Sequence, residues 1–331
     1  MTEVSIALTT YNGARFLREQ LASLLAQTRL PDELVVGDDR SSDGTLALLQ
    51  DFVARAPFPV RITVNARNLG PTRNFAETVL RCRSEVIFLC DQDDVWKPEK
   101  LAAVLAHRAA NPGAWLITHD AALVDAEGRP LGLTMATQIE RAGDEPARGL
   151  IAGCCMAIDA RLAKLYDPVP HMGEHDSWLA YTADLLRLRS YLPQPLIDYR
   201  RHGSNVSQSF MSDTRPASRW TRLAGRGRKA LAAPVRVSLE QALESRGDRI
   251  AAIRRHRTVL EQGVSAEVID AALATEVALL VRDQRRLAIA LAPRGPALGL
   301  LVRAMRQRVY AGRDGALSLL RDVWGLVRGR S

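Results

Sequence analysis

The chain has 331 residues, 47% hydrophobic and 25% charged, the balance of a soluble globular protein with room for one large domain or two ordinary ones. No apolar run reaches the roughly 18 residues of a transmembrane helix. The start, "MTEVSIALTTYNG", opens on a strand-like pattern without a basic n-region or a long apolar h-region, so no signal peptide is expected.

The first hundred residues alternate strand and helix patterns. "VSIALTT" is apolar and β-branched, and "ARFLREQLASLLAQT" follows with Phe16, Leu17, Leu21, Leu24 and Leu25 at helical spacing. "ELVVGDD" predicts a second strand, and "SSDGTLALLQDFVARA" a helix entered through Ser and Asp. "VRITVN" predicts a third strand and "GPTRNFAETVLRCR" a third helix, with Pro71 near its start. "EVIFLCD" is the fourth strand, "KPEKLAAVLAHRAA" the next helix and "WLITHDAALVD" the fifth strand. Near-continuous apolar strands alternating with helices imply a parallel sheet covered on both faces. From about 150 to 210 the pattern is less regular: "GCCMAID" reads as a strand, "HDSWLAYTADLLRL" as a helix, and "PLIDYRRHGSNVS" as a strand leaving into a loop. Beyond 215, Ala-, Leu- and Arg-rich helical segments run to the end.

Such sheets bind ligands outside the carboxyl ends of their strands. Three of those ends are polar here: Thr9-Thr10-Tyr11-Asn12, Asp38-Asp39 and Asp91-Gln92-Asp93-Asp94. Clustered carboxylates without a zinc-type cysteine pattern suit a hard cation such as Mg²⁺ or Mn²⁺. An EF-hand is excluded, because the positions for its Gly and Glu hold Trp96 and Ala102 when counted from Asp91. By itself Asp-x-Asp after a strand is equally a solvated turn. The four cysteines, Cys82, Cys90, Cys154 and Cys155, form no CxxC pair and read as buried, reduced thiols.

Two further patterns are weak. "HMGEH", His171 to His175, has zinc-protease spacing, but Pro168, Pro170 and Gly173 argue against the helix that spacing needs. "GRGRKA" from Gly225 has no strand before it, which removes a dinucleotide site. His119-Asp120 closes "WLIT" and reads either as part of an acceptor wall or as a surface turn.

Taken in order, "ALTTYNGARFLREQLASLLAQTRLPDELVVGDDRSSDGT", "FLCDQDDVWKPEKL", "HDSW" and "YRRHGSN" resemble the family 2 glycosyltransferases, in particular bacterial polysaccharide enzymes, many of them rhamnosyltransferases. The resemblance covers roughly residues 3–210. It implies an α/β GT-A fold, Rossmann-like, with a mixed, mainly parallel sheet: a catalytic domain over 1–214 and a basic helical C-terminal region over 215–331. By that resemblance Thr9, Tyr11 and Asp39 would hold the nucleoside of a sugar nucleotide, with Asp39 accepting the base N3–H. Asp91 would lie by the ribose, Asp93 and His202 would bind Mg²⁺ or Mn²⁺, and Arg200 and Arg201 would meet the diphosphate. Asp176 of "GEHDSW" would be the base that deprotonates the acceptor hydroxyl in a single inverting displacement; otherwise it only caps its helix. Gly153 would let backbone approach a sugar, His175 would orient Asp176 or shape the acceptor pocket, and Trp178 would pack on a sugar face. One departure is "GDDRSSDGT", which places Arg40 where the family commonly has a small residue.

The implied reaction moves a sugar, L-rhamnose from a dTDP donor or a hexose from a UDP donor, to a glycan acceptor in surface-polysaccharide assembly. Charge adds a question. Residues 1–214 carry 22 Lys+Arg against 27 Asp+Glu, whereas residues 215–331 carry 23 against 10. That basic end is expected either to lie on anionic lipid at the cytoplasmic membrane face, where acceptors of the family are often lipid-linked, or to pack on the core with solvated arginines. The rival of a different class is a membrane- or nucleic-acid-binding protein with an inactive fold of this kind; no nucleic-acid motif supports the latter.

Overall fold

In the computed structural model, residues 2–167, 169–170, 173–203, 234–311 and 315–328 are described. His171, the Gly225 segment, Asn205 and the expected domain boundary at 214/215 lie outside them.

The strands are β1 (Val4–Thr10), β2 (Glu33–Asp38), β3 (Val60–Val64), β4 (Val86–Cys90), β5 (Val95–Trp96), β6 (Leu116–Val124), β7 (Pro130–Thr134), β8 (Met156–Asp159) and β9 (Arg189–Arg200). They form one sheet in the order β3-β2-β1-β4-β8-β6-β9-β5, with β7 paired to β6. β1 to β4, β6 and β9 run one way, while β5, β7 and β8 run against them. The sheet is therefore mixed and mainly parallel. Of the short antiparallel strands, β5 and β7 are the ones that the apolar pattern does not reveal. "GCCMAID" divides into a 3₁₀ turn, Gly153–Cys155, and the short strand β8. β9 begins at Arg189, earlier than "PLID" suggests, because it pairs with β6 through Arg189–Leu192 before its prolines.

Side chains alternate across each strand, and so build two cores. Val4, Ile6, Leu8, Val86, Phe88 and Cys90 face α1 (Ala14–Leu25), α2 (Thr45–Val53) and α4 (Lys100–Ala110). Ala7, Ile87 and Leu89 face α3 (Pro71–Leu80) and α8 (His175–Leu185). The crossover helices are joined by α5 (Met135–Arg141), α6 (Pro146–Gly149) and α7 (Ala160–Ala163), which follow the seventh and eighth strands. α3 sits tightly on β2: a Cβ on Gly37 would lie 2.0 Å from Thr78 Oγ1. Cys90, Cys154 and Cys155 are buried, Cys82 is partly so, and all four are free thiols.

The C-terminal region forms α9 (Val235–Arg255), α10 (Arg257–Leu260), α11 (Ala266–Leu291), α12 (Arg294–Arg306) and α13 (Gly315–Arg328). Ile253, Leu260, Ile269 and Ala272 share the second core with Trp115, Trp178 and Leu179. Each such aliphatic side chain contributes about 1.5–3 kcal/mol by its burial. Part of the excess of arginine is internal. Arg246 and Arg249 converge on buried Glu276, at 3.1 and 2.8 Å, and Arg286 pairs with Asp322 at 2.9 Å. Glu276 also accepts from Tyr181 OH of α8 at 2.9 Å. No helix among the described residues is long and apolar enough to cross a membrane.

Candidate active site

The ends of β1, β2, β4 and β9 bring their polar residues to one edge of the sheet. The β1 and β2 ends are tied first. Asp38, fully buried, accepts from Thr10 Oγ1 at 2.7 Å and from the Ser41 amide at 2.8 Å. Asp39 is held by the amides of Leu69 and Gly70, at 2.7 and 2.8 Å, and by Asn65 Nδ2 at 2.9 Å. Asn65 in turn donates to Asn74, whose Nδ2 donates to Gly37 O. A carboxylate offers about four acceptor positions, so three donors leave Asp39 room for one more. Arg40 takes up a left-handed conformation at φ 66°. Thr9 is buried and Tyr11 is half exposed beside this floor.

The turn after β4 is fixed from both sides. Gln92, a residue that motif reading passes over, donates to Tyr11 O at 3.1 Å and accepts from the Tyr11 amide at 2.8 Å. It fills the space over Gly13, where a Cβ would meet its Oε1 at 2.1 Å. Asp94 is buried, with Oδ1 accepting from the Arg200 amide at 3.1 Å and Oδ2 without a partner. Asp93 Oδ2 lies 2.8 Å from His202 Nε2, and the imidazole stacks on Phe16 at 4.6 Å. Residues 109 apart in sequence are thus joined as the resemblance implies.

Arg200 is not available to a diphosphate. It is buried, its Nε donates to Asp93 O at 3.0 Å and its Nη1 to Ala126 O at 3.0 Å, and it pairs with Glu19 through Nη2. It holds the Asp93 turn, which corrects the sequence reading. Arg201 is partly buried, anchored through its amide to Val124 O at 2.9 Å.

Burial, then the charges of Asp93 and Asp176, pushes the Asp91 carboxyl up to about 7. Burial with Asp93 and Asp91 pushes Asp94 well above the carboxylate range. Beneath them lies Lys100, fully buried, donating to Cys154 O at 2.8 Å with Nζ 3.6 Å from the Trp96 ring centroid; burial lowers its pKa. The sequence reading missed this lysine. Its signal was position, since Lys100 shares a helix face with Leu101 and Val104, both buried. Trp96 is core.

Asp176 sits in the first turn of α8, whose N-cap is Glu174. Its Oδ1 accepts only from the neighbouring Ser177 amide, at 2.6 Å, so it does not carry the N-cap. His175 stacks on Phe75 at 4.2 Å, and its Nε2 lies where a Cβ on Gly153 would be 2.7 Å away. The space at Gly153 therefore admits His175, not a sugar. Trp178 is buried against Tyr166 at 5.6 Å, with Arg249 5.5 Å from its ring, and offers no open face; this too corrects the expectation. His119 and Asp120 are buried in the middle of β6, so they form no surface turn.

The carboxylates fit a divalent cation. Asp91, Asp94 and Cys154 offer ligand atoms within 4.8 Å of one another, and Asp94 Oδ2 is a buried acceptor lacking a donor. Cys154 is a poor member of that set for a hard cation, because its neighbour Cys155 and burial hold it protonated. Asp93 and His202 give the oxygen–nitrogen pair suited to Mn²⁺ or Mg²⁺.

Residues 5–159 match the profile described as "Glycosyl transferase family 2". An uncharacterized protein of Mycobacterium tuberculosis is 26% identical over 221 residues, covering 64% of this chain and 62% of its own length. A dTDP-rhamnosyl transferase of Shigella flexneri is 30% identical over 98 residues, 28% of this chain and 34% of its own. Staphylococcus aureus TarS 1–349, solved in complex with UDP-GlcNAc, superposes with a TM-score of 0.58 at 16% identity, covering 98% of this chain and 89% of that one. The two share the GT-A fold.

Proposed function

The chain belongs, through residues 5–159, to glycosyl transferase family 2, and on that premise we propose that it is an inverting glycosyltransferase of surface-polysaccharide assembly. The observation that carries this is the convergence of Asp91, Asp93, Asp176 and His202 on one edge of the sheet. Asp93 meets His202 at 2.8 Å, and Asp91 feels the charge of both Asp93 and Asp176.

In this reading Tyr11 and Thr9 flank the nucleoside, and the remaining acceptor position of Asp39 takes the base N3–H. Asp91 faces the ribose. Asp93 and His202 would hold Mg²⁺ or Mn²⁺, which when bound would supply positive charge against the leaving diphosphate, and Arg201 would add its own charge there. Asp176 takes the proton of the acceptor hydroxyl as it attacks the anomeric carbon. His175, wedged between Phe75 and Gly153, fixes the start of α8 and with it Asp176. The relatives support a donor of the class dTDP-rhamnose or a UDP-hexose.

Thermal shift with UDP- and dTDP-sugars in the presence of Mn²⁺, followed by donor hydrolysis, tests the assignment; neither response would mean that the fold is not used catalytically. Asp176→Asn should retain nucleotide binding while transfer falls about 10²–10⁴-fold. Undiminished transfer would remove Asp176 from the base role.

The proposed place of work is the cytoplasmic membrane face. α12 turns Ala297, Leu301 and Ala304 inward and exposes Leu298, Val302 and Met305, at 61%, 43% and 52%, next to exposed Arg303 and Arg306. An apolar stripe edged by arginines suits an anionic bilayer surface. Co-sedimentation of the full chain with phosphatidylglycerol vesicles, lost at high salt or on Leu298→Glu, is the expected result.

A further inference from the structure

A second concavity lies away from the carboxylate corner, and its origin is in β9. The segment "LPQPL" places Pro193 and Pro195 opposite β6. Proline has no amide hydrogen to give the ladder. The pairing accordingly slips: Leu192 faces His119, but the next partner, Pro195, faces Asp120. The bulged strand leaves a cleft of about 550 Å³ walled by Asp120, Glu140, Glu145, Tyr191, Pro193 and Pro195 among others. This lies within the roughly 300–1,000 Å³ of small-molecule sites.

Asp120 forms part of its wall. It is 6% exposed, and its Oδ1 accepts from the amides of Ala121 and Ala136, each at 2.8 Å. Its Oδ2 has no protein partner among the described residues. That oxygen is the one left to the cleft, where a hydroxyl or amine donor can meet it.

The chemistry of the wall narrows the ligand. No Lys or Arg lines the cleft, so the three carboxylates repel a phosphate or a nucleotide. Nor do they form a cation site, because the only described group of three or more possible ligand atoms within 4.8 Å is Asp91, Asp94 and Cys154. What remains is a neutral molecule rich in hydroxyls that also presents flat C–H faces. Carboxylates accept strong hydrogen bonds from sugar hydroxyls, while Tyr191 and the proline rings offer flat apolar surface.

The chain links the rim of the cleft to the reaction edge. Pro146 and Ala147 of its rim belong to α6. A few residues on, the same segment reaches Gly153, against His175, and Cys154, beside Asp91 and Asp94.

We propose that this cleft binds a sugar residue of the acceptor glycan, remote from the hydroxyl that is glycosylated, and so selects acceptors by the glycan already built. The assignment rests on the glycosyltransferase reading above for its purpose, but not for its binding chemistry.

The test uses the full chain on a printed array of bacterial polysaccharide fragments, in parallel with thermal shift by UDP and dTDP. Wild type should bind a subset of the fragments. Tyr191→Ala and, at the exposed rim, Glu140→Gln should each lower that signal tenfold or more while the nucleotide shifts stay at wild-type values. Glycan signal unchanged in both variants, or absent from wild type, overturns the proposal. Glycan binding that depends on Tyr191 in a protein with no nucleotide shift would leave the cleft standing and sink the transferase reading instead.

Discussion

At the scale of single residues, the site depends on space and charge in about equal measure. Gly153 is required because His175 Nε2 occupies the place of its missing Cβ, 2.7 Å away. Gly153→Ala should cost about 1–3 kcal/mol by overpacking and displace the start of α8. Transfer should fall, and His175→Ala in the same chain should recover most of the lost stability. Chemical denaturation of the single and double variants measures that coupling; additive costs would show that the two residues do not compete for space. Charge acts through Asp91. Its carboxyl is raised from 3.8 to about 7 by burial and by Asp93 and Asp176. Between those values the folded chain holds a proton that the unfolded chain has lost, so this group makes stability fall as pH rises from 3.8 to about 7. A cation bound beside it, at Asp93 and His202, favours the ionised form of Asp91 and so competes with that proton. Mn²⁺ affinity should therefore rise with pH, up to about tenfold per unit, and level off above about 7. Titration calorimetry from pH 5.5 to 8 checks the slope, which Asp91→Asn should flatten.

At the scale of elements, β9 does the organising. Its carboxyl end delivers His202 to Asp93, and Arg200 locks the Asp93 turn to α1 and to the β6–β7 turn by bonds to Asp93 O, Ala126 O and Glu19. Arg200→Ala leaves two carbonyls short of a donor and should destabilise by about 2–4 kcal/mol. The same variant should weaken Mn²⁺ binding although Arg200 touches no ligand in the proposed scheme. Denaturant melts and metal titration read the two effects separately; a stable variant with reduced affinity for nucleotide alone would return Arg200 to the diphosphate. The "YRRHGSN" stretch marks this strand end as a binding element but does not say which arginine faces inward. That is decided by the β6–β9 register, set by residues seventy positions away.

At the scale of the whole molecule, the C-terminal helices α9 to α11 share a core with the sheet. Glu276 of α11 joins Arg246 and Arg249 of α9 to Tyr181 of α8, the helix that begins with His175 and Asp176. Glu276→Ala takes the carboxylate from buried Arg249, while Arg246 keeps Asp283 at 2.9 Å, and should cost about 3–5 kcal/mol. Hydrogen exchange should then show loss of protection in α8 as well as in α9 and α11. Opening confined to the C-terminal helices would mean that α8 stands without them. Among the described residues beyond 215, some arginines are thus used inside the protein, as Arg249 and Arg286 are, and others are displayed, as Arg303 and Arg306 of α12 are.

The apolar runs and their alternation with helical spacing determined β1, β2, β4 and β6, because burial on both faces of a sheet requires continuous apolar sequence; β3, at the edge, declared itself by its β-branched residues. The order of the motifs pointed to Asp39, Asp91 and Asp93 at strand ends, to His202 just beyond β9 and to Asp176 at a helix start, and the structure joins Asp93 to His202. β8 was legible in "GCCMAID", whereas β5 and β7 were not: the two residues of β5 carry no periodicity, and β7 is a largely exposed edge strand with no apolar run. Only the tertiary structure decided that Arg200 and Trp178 are buried props, that Gly153 makes way for His175, that Lys100 lies beneath the carboxylates, and that Pro193 and Pro195 open a cleft. Each of those depends on what stands opposite in space, and a residue's type and local spacing carry no record of its partner across the fold.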